Sequence, residues 1–320
     1  MSAPTTLITG GAGFIGSHVA EALLARGEQV RILDDLSTGN AAHLTGLEVD
    51  FRRGSVTDPA VVNAAVAGCD RVIHLAAAVG VRRILAEPIT SITTNVEGTR
   101  LVLEACGHRN TPVVIASSSE VYGESTAPSF NEGHHLHLGP SSIHRWSYAC
   151  SKLLDEFLAL AWHRERGLPV IVTRFFNITG ARQSPAYGMV LPRFAAAALA
   201  GKELEVHGDG LQSRCFLHVQ DCVRAVMALI DQPAAVGQVI NIGSSEEVTI
   251  ADLARRVIAR AGSPSTIALI PYAQAYPEGG FADMRRRVPD VTRLCQLTGW
   301  KQTLSLDETV DDALAWAKRT

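Results

Sequence analysis

No apolar run in the 320 residues approaches the ~20 that a membrane-crossing helix needs. No sign of charge dominates either: 29 Lys+Arg stand against 32 Asp+Glu, for a net charge of −3. General attraction to a nucleic-acid backbone is therefore not built in. Cysteine is sparse and unpatterned. Cys69, Cys106, Cys150, Cys215, Cys222 and Cys295 form no C-x-x-C pair, which argues against a disulfide framework or a zinc site. Most fall in apolar periodic stretches, where a free thiol behaves as a small hydrophobe. His134, His135 and His137 crowd one Gly-bounded loop without an acid or thiol at ligand spacing, so a solvated loop is expected and no metal. The N-terminus has no basic segment leading into an apolar one and reads as a strand by Thr5, so the expectation is a soluble, cytoplasmic protein. Internal repeats and low-complexity tracts are absent.

What remains is a globular composition, 47% hydrophobic and 19% charged, which excludes intrinsic disorder. The length suits two domains, or one large α/β unit with an appendage. Near-continuous apolar runs at 6–9, 30–34, 49–53, 71–75, 113–117 and 170–175 read as parallel strands covered on both faces. Helical periods at 14–26, 59–67, 89–106 and 148–166 alternate with them. This alternation predicts an α/β fold, a Rossmann-type doubly wound parallel sheet. After Phe176 the pattern loosens, with Gly180, Pro185, Gly188 and Pro192 marking a loop before a helix near 193–200. Strands at 239–242 and 267–270, a helix at 249–261 and two short final helices complete a smaller mixed α/β substrate domain. The expected division is 1–176 for the dinucleotide domain, with 215–242 returning to it, and 177–214 plus 243–320 for the second domain.

Residues 9–16, T-G-G-A-G-F-I-G, follow the first strand and open the first helix. Gly10, Gly13 and Gly16 stand where a tight turn, close approach to a pyrophosphate and close helix–strand packing each need a glycine. The helix start, with Phe14 and Ile15, offers free N–H groups to phosphate. A glycine motif alone is weak; the strand–turn–helix setting and Asp34 at the end of the second strand make it specific for a dinucleotide. Asp34 suits ribose hydroxyls and repels a 2′-phosphate. No Arg stands in 34–37, so NAD is expected rather than NADP. Asp58, farther along, has the alternative of capping a helix.

Tyr148 and Lys152 lie four residues apart in a helical pattern and share a face. A phenol with a pKa near ~10 is a poor base at neutral pH, and a neighbouring ammonium brings it into range. Behind a dinucleotide fingerprint and the serine-rich strand end Ser117, Ser118, Ser119, the pair gains meaning.

At this point the chain resembles the extended short-chain dehydrogenase/reductases that modify nucleotide sugars. The marks are T-G-G-A-G-F-I-G-S-H at 9–18, H-L-A-A at 74–77, Asn95 in N-V-E-G-T, S-S-S-E-V-Y-G at 117–123 and Tyr148/Lys152. R-F-F-N at 174–177, R-C-F-L-H-V-Q-D at 214–221 and N-I-G-S at 241–244 follow. The resemblance spans nearly the whole chain. It implies bound NAD that cycles within one turnover while the sugar is oxidised at C4. It further implies cofactor contacts at Leu75, Ala76, Ala77, Asn95 and Ser117. A nucleoside diphosphate would be held by Asn177, Arg193 and Arg214. Where this family commonly has an acid and a hydrophobe against the adenine, the chain offers Ser55 and Val56.

Glu120 bears on the branch. Plain 4-epimerases of the family usually have a small residue there, whereas decarboxylases and 4,6-dehydratases carry an acid. The stretch R-W-S-Y-A-C-S-K at 145–152 and the stretch G-G-F-A-D-M-R-R-R-V-P-D at 279–290 resemble UDP-glucuronate decarboxylases and UDP-apiose/xylose synthases. The Pro289 register puts Arg287 on the arginine those enzymes use near C5 and C6. Ser118 keeps the hydroxyl expected there. The resemblance thus implies decarboxylation of UDP-glucuronate, with a UDP-sugar 4-epimerase as the alternative and a 4,6-dehydratase or a silent NAD-binding regulator behind it. Tyr148, Lys152, Ser118, Glu120 and Arg287 are the expected catalytic set, and Ser118 and Arg287 also contact substrate. Apolar residues on more than one face of the helices at 89–106 and 148–166, among them Leu154 and Phe157, predict a homodimer through a four-helix bundle.

Overall fold

The computed structural model describes residues 3–277, 279 and 281–319; Gly280, in the glycine-containing stretch quoted above, lies outside them. The first part of the chain runs β1 (Thr5–Thr9), α1 (Phe14–Ala25), β2 (Gln29–Asp34), β3 (Val49–Arg53), α2 (Pro59–Val66) and β4 (Arg71–His74). Next come α3 (Val81–Ala86), α4 (Pro88–Gly107), β5 (Val113–Ser118), α5 (Arg145–Arg166) and β6 (Val170–Phe175). The remainder begins with β7 (Ile178–Thr179), α6 (Val190–Leu199), β8 (Leu204–His207), β9 (Ser213–Cys215), β10 (Leu217–His218), α7 (Val219–Ile230) and β11 (Val239–Ile242). It ends with β12 (Glu247–Thr249), α8 (Ile250–Ala261), β13 (Ile267–Ile270), α9 (Tyr272–Ala275), β14 (Arg286–Arg287), α10 (Thr292–Thr298) and α11 (Leu306–Ala317).

Seven strands pair in parallel in the order β11-β6-β5-β4-β1-β2-β3. The chain steps outward from β1 and then reverses at β4, which is the doubly wound Rossmann arrangement, with a crevice beyond the carboxyl ends of β1 and β4. Side chains alternate across the sheet. Ile8, Ile32, Ile73 and Ile240 pack under α1 and α7, while Leu7, Leu33, Val72 and Ile115 pack under α2 and α4. A separate core joins α6, α8 and α11 through Phe194, Leu253 and Val310.

Several local features differ from the sequence expectation. Helix α5 begins at Arg145 rather than Tyr148, so Arg145 shares the helix of Tyr148 and Lys152. Pro192 lies in the first turn of α6 rather than in the loop before it, where its missing N–H removes no intrahelical bond. Helix α7 was not anticipated, although Val219, Cys222, Val223, Val226 and Leu229 recur at helical spacing. That apolar face is buried against α1. Asp58 does cap α2, accepting from the N–H groups of Ala60 and Val61.

Helix α5 carries two adjacent acids on its buried face, Asp155 and Glu156. Glu156 accepts a bidentate pair from Arg174 of β6 at 2.8 and 2.7 Å, and the Ser117 hydroxyl of β5 at 2.5 Å. This joins the helix to the carboxyl ends of two strands. Removing one partner of a buried pair leaves the other charge uncompensated. Glu156→Ala should therefore destabilise the fold by about 3–5 kcal/mol, read as a lower urea midpoint at unchanged slope.

Candidate active site

The glycines after β1 build a cradle. Gly10 has φ +70°, and a Cβ there would lie 2.8 Å from the backbone N of Ala76. A Cβ at Gly16 would run into the Gly10 carbonyl. Gly13 caps α1 with no side chain to occupy the first-turn N–H groups, and Phe14, Ile15 and Gly16 face the same cleft. A diphosphate fits this surface because the glycines let it approach backbone N–H groups that no side chain caps. Asp34, at the end of β2, accepts from Ala12 N at 3.0 Å and Leu36 N at 2.8 Å. Burial pushes its carboxyl upward, and those two N–H groups pull it back.

One cleft of about 1550 Å³ runs from this cradle to the C-terminal elements. It is lined by every residue picked from the sequence except one: Asp34, Ser55, Val56, Leu75, Ala76, Ala77, Ser117, Ser118, Glu120, Tyr148, Lys152, Asn177, Arg193, Arg214 and Arg287 join the glycine turn along its walls. Asn95 is the exception. It is fully buried behind the wall, where its Oδ1 accepts from Ala78 N at 2.8 Å and its Nδ2 donates to Ser151 Oγ at 3.0 Å. The direct cofactor contact expected of Asn95 is thus replaced by support of the loop after β4 and of α5. His134, His135 and His137 are exposed on the β5–α5 connection, outside the cleft lining.

Tyr148 shares a hydrogen bond with Ser118, whose Oγ also accepts from Glu120 N at 3.2 Å. Burial and then the Glu120 charge push the Tyr148 phenol upward, while the Ser118 hydrogen bond opposes them. The Lys152 ammonium lies one turn along α5, 3.1 Å from Asp155.

Beside Tyr148 the cleft wall is a lattice of charges. Glu120 accepts from Arg145 at 3.1 and 3.3 Å and from Arg287 at 2.9 Å. Burial alone would raise the Glu120 carboxyl, but the Arg145 and Arg287 charges outweigh it and hold Glu120 at about 2. Asp283 accepts from Arg214 at 2.6 Å, Arg145 at 3.2 Å and the Tyr272 hydroxyl at 2.7 Å. Arg214 is drawn down to about 10 by burial and by Arg287 beside it. Those two arginines are register partners, because β14 runs parallel to β9.

Alternation along β14 also separates Arg286 from Arg287, while Arg285 lies before the strand. Arg287 is buried at the cleft and donates to Asn177 Oδ1 at 2.5 Å, whereas Arg286 pairs with Glu247 and Arg285 with Asp209 outside it. The buried Arg287 Nε has no partner among the described residues. Arg193 donates toward Glu205 at 3.3 Å from the far wall.

Sequence reasoning quoted Arg145 and Asp283 inside motifs without giving either a role. Arg145 is 4% exposed, bridges Glu120 to Asp283, and stacks over the Phe281 ring at 4.7 Å. Its spacing three residues before Tyr148 was the available signal. Phe281 in turn stacks on Tyr276 at 4.0 Å, giving the cleft an aromatic end that no motif marked.

Comparison with known proteins agrees with this geometry. The family model described as the NAD dependent epimerase/dehydratase family matches residues 6–243. The chain is 40% identical to UDP-N-acetyl-alpha-D-glucosaminuronate decarboxylase of Bacillus cytotoxicus, over 97% of this chain and 96% of that one. It is 31% identical to UDP-glucuronic acid decarboxylase 1 of Danio rerio, over 98% of this chain and 72% of that one. Its fold superposes with a TM-score of 0.88 on UDP-glucuronic acid 4-epimerase from Bacillus cereus, solved with UDP-glucuronic acid and NAD. The two are 27% identical, covering 98% of this chain and 99% of that one.

Asp34 supplies the charge that a ribose diol would meet. Asp34→Ala should weaken NAD binding by roughly 10- to 100-fold, the worth of a lost charge-assisted hydrogen bond, and should narrow the preference over NADP. Equilibrium titration with both nucleotides measures this. Equal affinity of the unmodified protein for the two would contradict the role given to Asp34.

Proposed function

The chain belongs to the NAD dependent epimerase/dehydratase family, and we propose that it decarboxylates UDP-glucuronate, giving UDP-xylose, the UDP-4-keto-pentose, or both. Bound NAD supplies the chemistry of taking a hydride from C4 and returning it. The observation that carries the reading is the arginine wall beside Tyr148. Among the described residues, Arg145, Arg214 and Arg287 stand against two carboxylates, Glu120 and Asp283, which leaves one positive charge for the anionic nucleotide sugar as a whole. The Nε of Arg287, buried without a partner among the described residues, is a further unsatisfied donor in this wall.

In this scheme the cradle at Gly10, Gly13 and Gly16 holds the cofactor diphosphate and Asp34 the ribose. Residues 1–176, with 215–242, serve the cofactor, while 177–214 and 243–320 serve the nucleotide sugar. Asn177, Arg193 and Arg214 bind the UDP portion. Tyr148, assisted by Lys152, takes the C4 hydroxyl proton as C4 becomes a ketone. The C6 carboxylate is then that of a β-keto acid. The C5–C6 bond breaks, carbon dioxide leaves, and the electron pair moves into the C4–C5 enolate. Ser118 and the Tyr148 hydroxyl stabilise the charge on the C4 oxygen. A proton then reaches C5. Glu120, held ionised by its two arginines, orients the delivering water rather than donating directly.

The N-acetylated substrate of the Bacillus cytotoxicus relative differs only at C2, away from this chemistry. UDP-N-acetylglucosaminuronate is therefore the second substrate to test. A 4-epimerase uses the same Tyr148 and Lys152 but does not require Glu120.

We further propose a homodimer through α4 and α5. These helices pack together and expose Ile89 (81%), Ile92, Leu154 and Phe157 (65%). Four apolar side chains on one two-helix face support a buried interface. Six free thiols, most of them buried, support a reducing, cytoplasmic setting. Among the described residues no helix is long and apolar enough to cross a membrane.

Incubation with NAD and UDP-glucuronate labelled at C6 should release labelled carbon dioxide and yield an unlabelled UDP-pentose by mass spectrometry. Label returning intact in UDP-galacturonate would establish the 4-epimerase instead. Tyr148→Phe should remove nearly all turnover, and Glu120→Gln should slow the steps after oxidation, so that NADH builds up relative to carbon dioxide. Light scattering at micromolar concentration should give twice the monomer mass; a monomer would refute the bundle.

A further inference from the structure

Lys152 is held by a carboxylate that the scheme above does not use. Asp155 lies one turn farther along α5, its Oδ2 3.1 Å from the Lys152 ammonium, and the two are 1% and 2% exposed. Its neighbour Glu156 is already paired with Arg174, so Asp155 plays no part in that bridge. Burial pushes the Asp155 carboxyl up, while Lys152 and then Thr99 of α4 oppose it; Thr99 also lies, through Oγ1, 3.2 Å from His74 Nε2. His74 Nδ1 in turn meets Thr9 Oγ1 at 2.7 Å. A buried polar line therefore runs from the strand that opens the cofactor cradle to the base pair of the active site. A carboxylate is a costly way to fill a helix–sheet contact unless its charge has a use.

We propose that Asp155 is a positioning residue for proton transfer at Tyr148: acting through Lys152, it fixes the ammonium and tempers the positive charge that the phenol meets. The inference rests on Tyr148 as the group that takes the C4 hydroxyl proton. Other charges facing the pair are already matched. Burial pushes His74 down to about 3, leaving a neutral imidazole. Glu120 is shared by Arg145 and Arg287, and Asp283 by Arg145 and Arg214. On the outer side of α4, Glu97 and Glu104 pair with Arg100, and Arg83 of α3 lies near Glu87.

The sign follows from linkage. The acid limb of C4 oxidation reports the proton that must leave Tyr148 before C4 becomes a ketone. A neighbouring carboxylate opposes that loss. Seven residues along the helix place Asp155 about 10 Å from Tyr148. At that distance one charge in a protein interior moves a titration by about one pH unit.

The test measures the rate of C4 oxidation against pH, as NADH formation in the NAD-loaded enzyme. UDP-glucuronate serves, or whichever UDP-sugar reduces the cofactor. Asp155→Asn and Asp155→Leu should both move the acid limb down by about half to one pH unit. Asp155→Glu, which keeps the charge, should leave it in place while lowering the plateau. Melting temperatures and NAD affinities of the three variants separate the limb from any loss of fold, and either charge-removing variant suffices if the other does not fold. A limb that stays fixed or moves up on loss of the charge overturns the proposal, as does an equal movement in Asp155→Glu. Carbon dioxide release decides the decarboxylase reading and does not enter this comparison.

Discussion

Four charged side chains on one face of α5, Arg145, Lys152, Asp155 and Glu156, are buried, and a buried charge without a partner is what the surrounding structure is arranged to avoid. Each calls on a different element. Glu156 draws in β6 and β5 through Arg174 and Ser117, and Asp155 draws in α4 through Thr99. Arg145 reaches both Glu120 after β5 and Asp283 before β14. The helix that presents Tyr148 is therefore tied at intervals along its length to both halves of the chain. The cleft wall keeps its shape because these pairings leave the helix little freedom to rotate.

Much of the fold was legible because parallel strands buried on both faces give uninterrupted apolar runs. The six strands expected before Phe176 match the observed ones to within a residue at each end. The glycine turn was legible for a related reason: Gly10 and Gly16 stand where a side chain would collide with backbone. Beyond Phe176 the elements are short and joined by tight connections. The two-residue strands β7, β10 and β14 have no period to detect, whereas the helical spacing of Val219, Cys222, Val223, Val226 and Leu229 in α7 was legible and missed.

The site shows the same division. Residues with a motif of their own, such as Tyr148, Lys152 and Asp34, stand out in sequence. Residues whose meaning depends on a partner more than a hundred positions away do not. Asp283 means little until Arg145 and Arg214 converge on it, and Arg287, picked from the Pro289 register, shows its setting only in the strand pairing that places it beside Arg214. Asn95 is the opposite case. Its motif was plain, yet its side chain is turned behind the wall onto Ala78 and Ser151, so spacing identified an important residue without giving its contact.

The pairing of Glu120 with Arg287 also bears on rate. An arginine that fully neutralised the substrate carboxylate would stabilise the ground state as much as anything later, and uniform binding does not lower the barrier to chemistry. As the C5–C6 bond breaks, negative charge leaves the carboxylate and builds on the C4 oxygen. An ionised Glu120 2.9 Å from Arg287 already offsets part of that cation's field. Attraction for the departing carboxylate is, on the proposed chemistry, thereby moderated, while the new charge falls to Ser118 and Tyr148 to stabilise. On the proposed chemistry, an acid that never leaves its ionised state still favours the transition state, by limiting how tightly its arginine partners hold the group that must depart.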